Sequence, residues 1–339
     1  MSILMTLLGF ALGLGVVVLA ACWLFTLAVS RKVAALLPPQ GRFVDVAGAR
    51  LHLREFGQGP AILMIHGLGG QLGHFSYAIA GQLAARYRVI AVDRPDSGWS
   101  ARIHGDGSGA GADLSSQAAA LAALIDRLAL GRPLVVGHSL GGAVALALAL
   151  EHPDKVAGLA LLAPLTHMPE GGVPPVFKGL AIASPLLRKL VAWTVAIPSS
   201  IAKSGPTLAQ VFGPEAPPKD FGMRGGGLLS LRPAAFLAAS SDLQALPERL
   251  PAQQQRYARL RQPLGILFGR DDRILDWRAN GTALADKVPG ARLELVDGGH
   301  MLPITRPADC VAFIERMAQA SGVAPGSMTG SDGLTSGAR

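Results

Sequence analysis

Ser139 sits in the run Val135-Val136-Gly137-His138-Ser139-Leu140-Gly141-Gly142, which contains the spacing Gly-x-Ser-x-Gly. A serine hydroxyl is a weak nucleophile until a base takes its proton. That base must be oriented by a third group that also stabilises its charged form. The chain offers such groups further on. Adjacent acids stand at Asp271 and Asp272, and a histidine stands at His300, in Asp297-Gly298-Gly299-His300. Serine, carboxylate and imidazole together are the parts of an acyl-transfer machine.

The flanking residues predict how the serine is held. Residues 133–136 are apolar and rich in valine, as in a buried strand, and residues 143–150 are all Ala, Val and Leu, as in a buried helix. A serine on a sharp strand-to-helix turn has its hydroxyl pushed out at the top of a sheet. The Leu140 N–H then lies at the start of the helix, where free N–H groups favour a developing oxyanion. A second glycine-rich loop, His66-Gly67-Leu68-Gly69-Gly70, follows the apolar strand 60–65. There the Leu68 N–H is expected to be the second oxyanion donor, with Gly69 as the alternative. No Gly-Lys-Ser/Thr follows, which removes a phosphate loop. His66 is expected to hold its loop rather than to act as a base. Asp93 ends the strand 88–92 and begins the turn-rich segment 93–100. It is expected to pin that segment by accepting backbone N–H groups.

Strand and helix patterns alternate around these positions. Two antiparallel strands, 42–46 and 50–56, are joined by Ala47-Gly48-Ala49. Strands follow at 60–65, 88–92, 133–136 and 156–162, with helices at 114–130 and 143–150 and a flexible glycine-rich loop at 105–111. After an interruption, strands return at 264–268 and 291–296, with helices at 277–288 and 307–320. Such alternation predicts an α/β fold with a doubly wound, mostly parallel sheet. Ligands bind such sheets at the carboxyl ends of the strands, where His66, Asp93 and Ser139 fall. The interruption, residues 164–262, is rich in Pro, Gly and basic residues and has short apolar helical stretches such as 176–195. It reads as a helical cap. The division is therefore a core in two parts, 42–163 and 263–320, with the cap 164–262 between them and a disordered tail at 321–339.

Residues 1–30 carry no charge and are mostly Leu, Val, Ala, Ile and Phe, with Arg31 and Lys32 directly after. That is enough to span a hydrocarbon core with a helix of about 20 residues. A cleaved signal peptide has a basic n-region and a shorter apolar core. Residues 1–32 are therefore read as a retained single-pass anchor, and 33–41, with Pro38-Pro39-Gln40-Gly41, as a stiff linker. Leu19-Ala20-Ala21-Cys22 resembles a lipoprotein processing box, but it lacks the basic n-region. Charges only on the C-terminal side place the globular part in the cytoplasm by the positive-inside rule, at a bacterial cell membrane. The formal charge of +8 fits an anionic membrane surface. No nucleic-acid motif is present. The two cysteines, Cys22 and Cys310, have neither disulfide-framework nor metal-ligand spacing. No metal or organic cofactor is implied.

The order Ser, Asp, His, together with the elbow 137–141, the loop 66–69 and Gly299-His300, resembles the α/β-hydrolase family from about residue 42 to 320. The resemblance implies that Ser139 is the nucleophile and His300 the general base. It places the acid three residues after Gly269, at Asp272, with Asp271 as runner-up. Where the family's loop usually has glycine this chain has Asp96, a residue that tolerates left-handed geometry. The elbow carries Ser rather than Asp, which argues against epoxide hydrolases and haloalkane dehalogenases. The expected function is a membrane-anchored, esterase- or lipase-like serine hydrolase acting on carboxylic, lipid-like esters. Acyl transfer or cofactor-free perhydrolysis by the same triad is the alternative. A non-catalytic binding protein is the third reading.

Overall fold

The computed structural model describes residues 2–102, 110–323 and 325; the glycine-rich loop expected at 105–111 and the tail expected at 321–339 lie mostly outside them. The fold begins from period-two burial. Along Ala61–Ile65, Leu63 and Ile65 join one apolar core with Ile90, Val92 and Val135. Ile62 and Met64 join a second with Val89, Ala91, Leu134 and Val136. Alternate side chains leave opposite faces of a strand, so a strand that is apolar at every position must be covered on both sides.

The strands are β1 (Arg42–Val46), β2 (Ala49–Phe56), β3 (Ala61–Ile65), β4 (Arg88–Val92), β5 (Ala101–Arg102), β6 (Leu134–His138), β7 (Gly158–Leu162), β8 (Leu264–Gly269) and β9 (Arg292–Val296). They form one sheet in the order β1-β2-β4-β3-β6-β7-β8-β9, with β5 paired to β2. The pairs made by β2 are antiparallel; from β4 to β9 the sheet is parallel. The first hairpin turns on Ala47-Gly48 alone, because Val46 pairs with Ala49 and Gly48 takes φ +79°. The sequence had suggested one residue more.

The first helix, α1 (Ser2–Leu36), precedes the sheet. Short helices α2 (Gly73–Ser76) and α3 (Ile79–Leu83) follow β3, and α4 (Leu114–Arg127) and α5 (Leu140–Glu151) flank β6. The Asp113 carboxylate caps α4 by accepting from Ser116 N at 3.0 Å. The cap holds α6 (Pro185–Trp193), α7 (Ala196–Ala202), α8 (Ser204–Phe212), α9 (Phe221–Arg224) and α10 (Pro233–Gln254). Then come α11 (Ala283–Ala285), α12 (Leu302–Thr305) and α13 (Pro307–Ala320). Helices α4 and α5 cover one sheet face; α2, α3 and α13 cover the other.

Three further stretches depart from the sequence expectation. The helix expected at 277–288 is a π-turn over Arg278–Thr282 followed by the short α11. The widened turn buries Asn280, whose Oδ1 accepts from Thr166 N at 2.9 Å and so ties the segment to the strand end after β7. In the cap, α10 runs 22 residues through Pro247 and Pro251. Burial of Leu243, Leu246 and Leu250 outweighs the hydrogen bonds those prolines remove. Finally, α1 continues to Leu36 because Val33 is buried, so the linker begins at Leu37 rather than at residue 33.

Over Ile3–Leu36, α1 is long and apolar enough to cross a membrane. From Ile3 to Ala21 every side chain is exposed. From Cys22 onward α1 packs on the cap, and Thr26 Oγ1 donates to Thr194 O at 3.1 Å.

The tightest point of the fold is the β6–α5 junction. A Cβ on Gly141 would lie 2.1 Å from Ile65 O and 2.6 Å from His66 O. Both neighbours are backbone, so neither can swing aside. Gly141→Ala is expected to destabilise the chain by at least about 3 kcal/mol, the upper range of core overpacking. Urea unfolding followed by circular dichroism measures this; an unchanged midpoint would show that the junction yields.

Candidate active site

Ser139 joins β6 to α5 with φ +55° and ψ −123°, a conformation that L-residues rarely adopt. Its neighbours make the turn possible. A Cβ on Gly137 would meet Gly141 O at 2.6 Å, and one on Gly67 would meet the Ser139 Cβ at 2.8 Å. The elbow predicted from Gly-x-Ser-x-Gly is present, and it holds the serine at the carboxyl end of β6.

His300 and Asp272 come from the loops after β9 and β8. His300 Nδ1 lies 2.7 Å from Asp272 Oδ2, with the two side chains 5% and 0% exposed. The other oxygen, Asp272 Oδ1, accepts from Ile274 N at 2.8 Å and Leu275 N at 3.0 Å. The carboxylate is thus fixed from both sides. Asp271 is exposed, and among the described residues the ion pair to His300 is made by Asp272. A carboxylate on Nδ1 holds the proton there and leaves Nε2 free as a base. Ser139 and His300 line the same cavity, and no hydrogen bond joins them in this arrangement. Such contacts close as a reacting group enters.

The two residues expected to donate to an oxyanion stand on different elements. Leu140 is the first residue of α5. Leu68 is on the loop after β3 and lines the cavity. Neither N–H meets a protein acceptor among the described residues. The Leu68 N–H is aimed by an indirect device. The carbonyl of Gly67 belongs to the same peptide plane, so the two groups point in opposite directions. Arg94 Nη2 at 3.0 Å and Gly70 N at 3.2 Å both donate to Gly67 O. His66 Nδ1, 2.9 Å from the same oxygen, adds a third donor, because His66 Nε2 accepts from Arg94 N at 3.0 Å. His66 therefore holds the loop, as its position suggested. Gly69 takes φ +62° and turns the chain after the donor.

Arg94 was not singled out in the sequence. It is fully buried. Its Nη1 donates to Asp242 Oδ2 of α10 at 2.8 Å and to Gln117 Oε1 at 2.7 Å. Burial pushes the Asp242 carboxyl up, outweighing the pull of Arg94 downward. Asp93 pins its loop as expected: it accepts from Leu72 N at 2.7 Å and Trp99 N at 2.9 Å, and meets His52 Nδ1 at 2.7 Å. Asp96 has φ +65° and accepts from Arg102 N at 2.8 Å.

His138 was also missed. Its Nε2 meets His300 O at 2.9 Å, which makes it a donor to that carbonyl and fixes the backbone of His300 from the strand beneath Ser139. Its Nδ1 has no hydrogen-bond partner among the described residues. Burial, and the nearby His300, hold its pKa well below the usual histidine range. His74 lines the same cavity; burial, with His300 adding, lowers it to about 4. His66 is lowered chiefly by burial and then by Arg94.

The cavity above the serine is about 1060 Å³. Its floor is Leu68, His74, Ser139 and His300; its walls are cap side chains such as Phe177, Val191, Val195, Leu208 and Phe236. Much of the cap's basic excess is structural. Arg188 donates to Ser241 Oγ at 2.8 Å, and Arg232 stacks on Trp99 at 3.8 Å and donates to Gly98 O. Lys203 and Lys219 line the cavity. Cys310 is buried with its thiol pushed upward, remote from this chemistry. Among the described residues, no group of three His, Cys, Asp or Glu is placed to hold a metal.

His66, His74 and His138 set a pH dependence. Each folded pKa lies below its unfolded value near 6.5, so the unfolded chain binds more protons as pH falls. Stability is complete above about pH 6.5 and falls as pH drops toward the folded value, about 4 for His74. The slope is at most about 1.4 kcal/mol per pH unit for each histidine. Denaturant midpoints between pH 7 and 5 are expected to fall, and His74→Asn is expected to flatten the fall. A wild-type midpoint constant over that range would refute the assignment.

A sequence profile of the alpha/beta hydrolase family matches residues 62–313. A 2-hydroxy-6-oxononadienedioate/2-hydroxy-6-oxononatrienedioate hydrolase of Burkholderia vietnamiensis is 29% identical over 262 residues, 74% of this chain and 84% of that protein. The magnesium-chelatase 30 kDa subunit of Rhodobacter capsulatus is 31% identical over 261 residues, 72% of this chain and 81% of that protein. Among solved structures, a membrane phospholipase A described as a bacterial virulence factor superposes with TM-score 0.65 at 23% identity, covering 94% of this chain and 98% of its own. With its fold, its elbow and this profile match, the chain belongs to the alpha/beta hydrolase family.

Proposed function

We propose that this chain is a membrane-anchored serine hydrolase that cleaves carboxylic esters, lipid-like ones among them. The observation that carries the reading is the 2.7 Å contact between His300 Nδ1 and Asp272 Oδ2, on the same cavity as an elbow serine. In the proposed reaction His300 Nε2 takes the Ser139 proton as the oxygen attacks the ester carbonyl. The carbonyl oxygen becomes an oxyanion facing the Leu68 and Leu140 N–H groups. His300 then protonates the leaving alcohol, and the acyl-enzyme is hydrolysed by water activated on the same imidazole.

The apolar α1 and the apolar cavity walls support lipid-like substrates, as does the fold shared with a membrane phospholipase A. Arg31 and Lys32, directly after the uncharged stretch, favour a single-pass topology with the globular part on the cytoplasmic side of a bacterial membrane.

The test is hydrolysis of p-nitrophenyl esters of increasing chain length by the full chain in detergent. Ser139→Ala is expected to lower kcat by several orders of magnitude. Asp272→Asn is expected to lower it roughly 10³–10⁴-fold, and Asp271→Asn to leave it within about twofold. Equal losses in the two aspartate variants would remove Asp272 from its assigned role. Ester turnover that survives Ser139→Ala would end the serine hydrolase reading.

A further inference from the structure

Helix α6 is built inside out for a protein in water. Leu186, Leu187, Leu190 and Trp193 form one face at helical spacing, and they are 80%, 50%, 51% and 38% exposed. The buried positions on α6 are Arg188 and Ala192. The guanidinium is turned inward onto Ile182 O at 3.0 Å and Ser241 Oγ at 2.8 Å. A leucine face pointing away from the core gives up the apolar burial that drives folding, unless something other than water covers it.

The position of α1 says what covers it. Its stretch Ile3–Ala21 is exposed throughout; nineteen residues at about 1.5 Å each rise roughly 28 Å, close to a hydrocarbon core. The chain meets the cap directly afterwards, where Thr26 Oγ1 donates to Thr194 O, the residue after α6. Trp23 on α1 and Trp193 on α6, both partly exposed, stand near this junction, as indoles do at a bilayer interface. Lys189 on α6 and Arg31 and Lys32 on α1 are exposed cations within reach of headgroups.

We propose that the Leu186–Leu187–Leu190–Trp193 face of α6 is seated in the same bilayer leaflet from which α1 emerges, so that acyl chains enter the cavity from the membrane. The inference rests on the serine hydrolase reading and on α1 as a span. Helices α6 and α7 are the partition between the two compartments. Val191 of α6, Val195 between the helices and Ala196 of α7 line the cavity, while the leucines face outward. One layer of helix separates lipid from Ser139. The favoured substrates are esters whose acyl chain resides in a bilayer, because they reach the serine without crossing water.

The test uses the full chain in phosphatidylcholine–phosphatidylglycerol vesicles. Trp193 emission is isolated by difference from Trp193→Phe. It is expected to be quenched by lipids brominated on the acyl chain and spared by aqueous iodide. Leu186→Asp combined with Leu190→Asp is expected to slow hydrolysis of a long-chain ester in the same vesicles at least tenfold. Turnover of a soluble butyrate ester should stay within twofold. Quenching by iodide alone, or by neither agent because a second protein copy covers the face, would overturn the proposal, as would equal rates on the vesicle ester. The quenching needs only the conservative variant, so it decides the matter even if the double aspartate chain does not fold. A wild-type chain that hydrolyses neither ester refutes the hydrolase reading instead, and one stripped from the vesicles by carbonate refutes the span.

Discussion

The architecture turns on a single backbone constraint: β6 has to reverse into α5 at Ser139 within one residue. That residue takes φ +55°, which an L-amino acid holds only when its surroundings over-determine it. The surroundings are backbone rather than side chain. Gly137 lies against Gly141, Gly141 against the carbonyls of Ile65 and His66, and Gly142 against Pro164. Three strand ends, those of β3, β6 and β7, therefore close on one point. The crowding presents Ser139 outward and leaves the Leu140 N–H at the head of a helix. Strain at the proposed nucleophile and order in the sheet are one feature.

The Leu68 N–H, the second donor of the proposed reaction, depends on the layer of support beneath it. A loop cannot aim an N–H by itself, because its peptide planes rotate freely. Here the Gly67 peptide is fixed through its carbonyl by Arg94, Gly70 and His66. Arg94 is fixed in turn by Asp242 and Gln117, with Gln117 Nε2 donating to Asp242 Oδ1 at 3.1 Å. Burial of an ion pair brings little net stability, since desolvation offsets the attraction. Its effect here is geometric. It couples α10 of the cap to the loop that carries Leu68, so a cap that shifted would disturb the peptide facing the cavity.

What could be read in the sequence follows the range of the interactions involved. The sheet strands were visible because burial on both faces leaves an apolar run that no exposed segment imitates. The elbow was visible because a tight turn between strand and helix restricts residue types within five positions. Asp272 could be placed ahead of Asp271 by its offset from Gly269 within the family pattern, and the structure puts its carboxylate on His300. Arg94 and His138 were not visible, because their roles depend on partners 148 and 162 positions away. Helix α10 was hidden by Pro247 and Pro251, where tertiary burial overrides local preference. The π-turn at Arg278–Thr282 was hidden for a related reason: Asn280 is drawn to Thr166, far away in the chain.

Substrate choice is the least legible property, and the relatives show why. A dienedioate hydrolase and a magnesium-chelatase subunit match this chain at nearly equal identity over nearly the same length. The shared part is the sheet and its turns, which hold a reacting group and say little about what reaches it. The discriminating surface is the cap. Its composition suggested a basic helical cap, but several of those charges are consumed inside the protein, as Arg188 and Arg232 are. What remains distinctive is shape: a cavity walled by aliphatic and aromatic side chains, and an outward leucine face beside an apolar helix. Neither is a motif. The cavity arises only when the cap is folded over the loops that carry Leu68 and His300, and the leucine face stands beside α1 only through the contact of Thr26 with Thr194. The Coulombic signal that a sequence displays most openly is therefore the weaker guide here, and the packing signal that needs coordinates is the stronger.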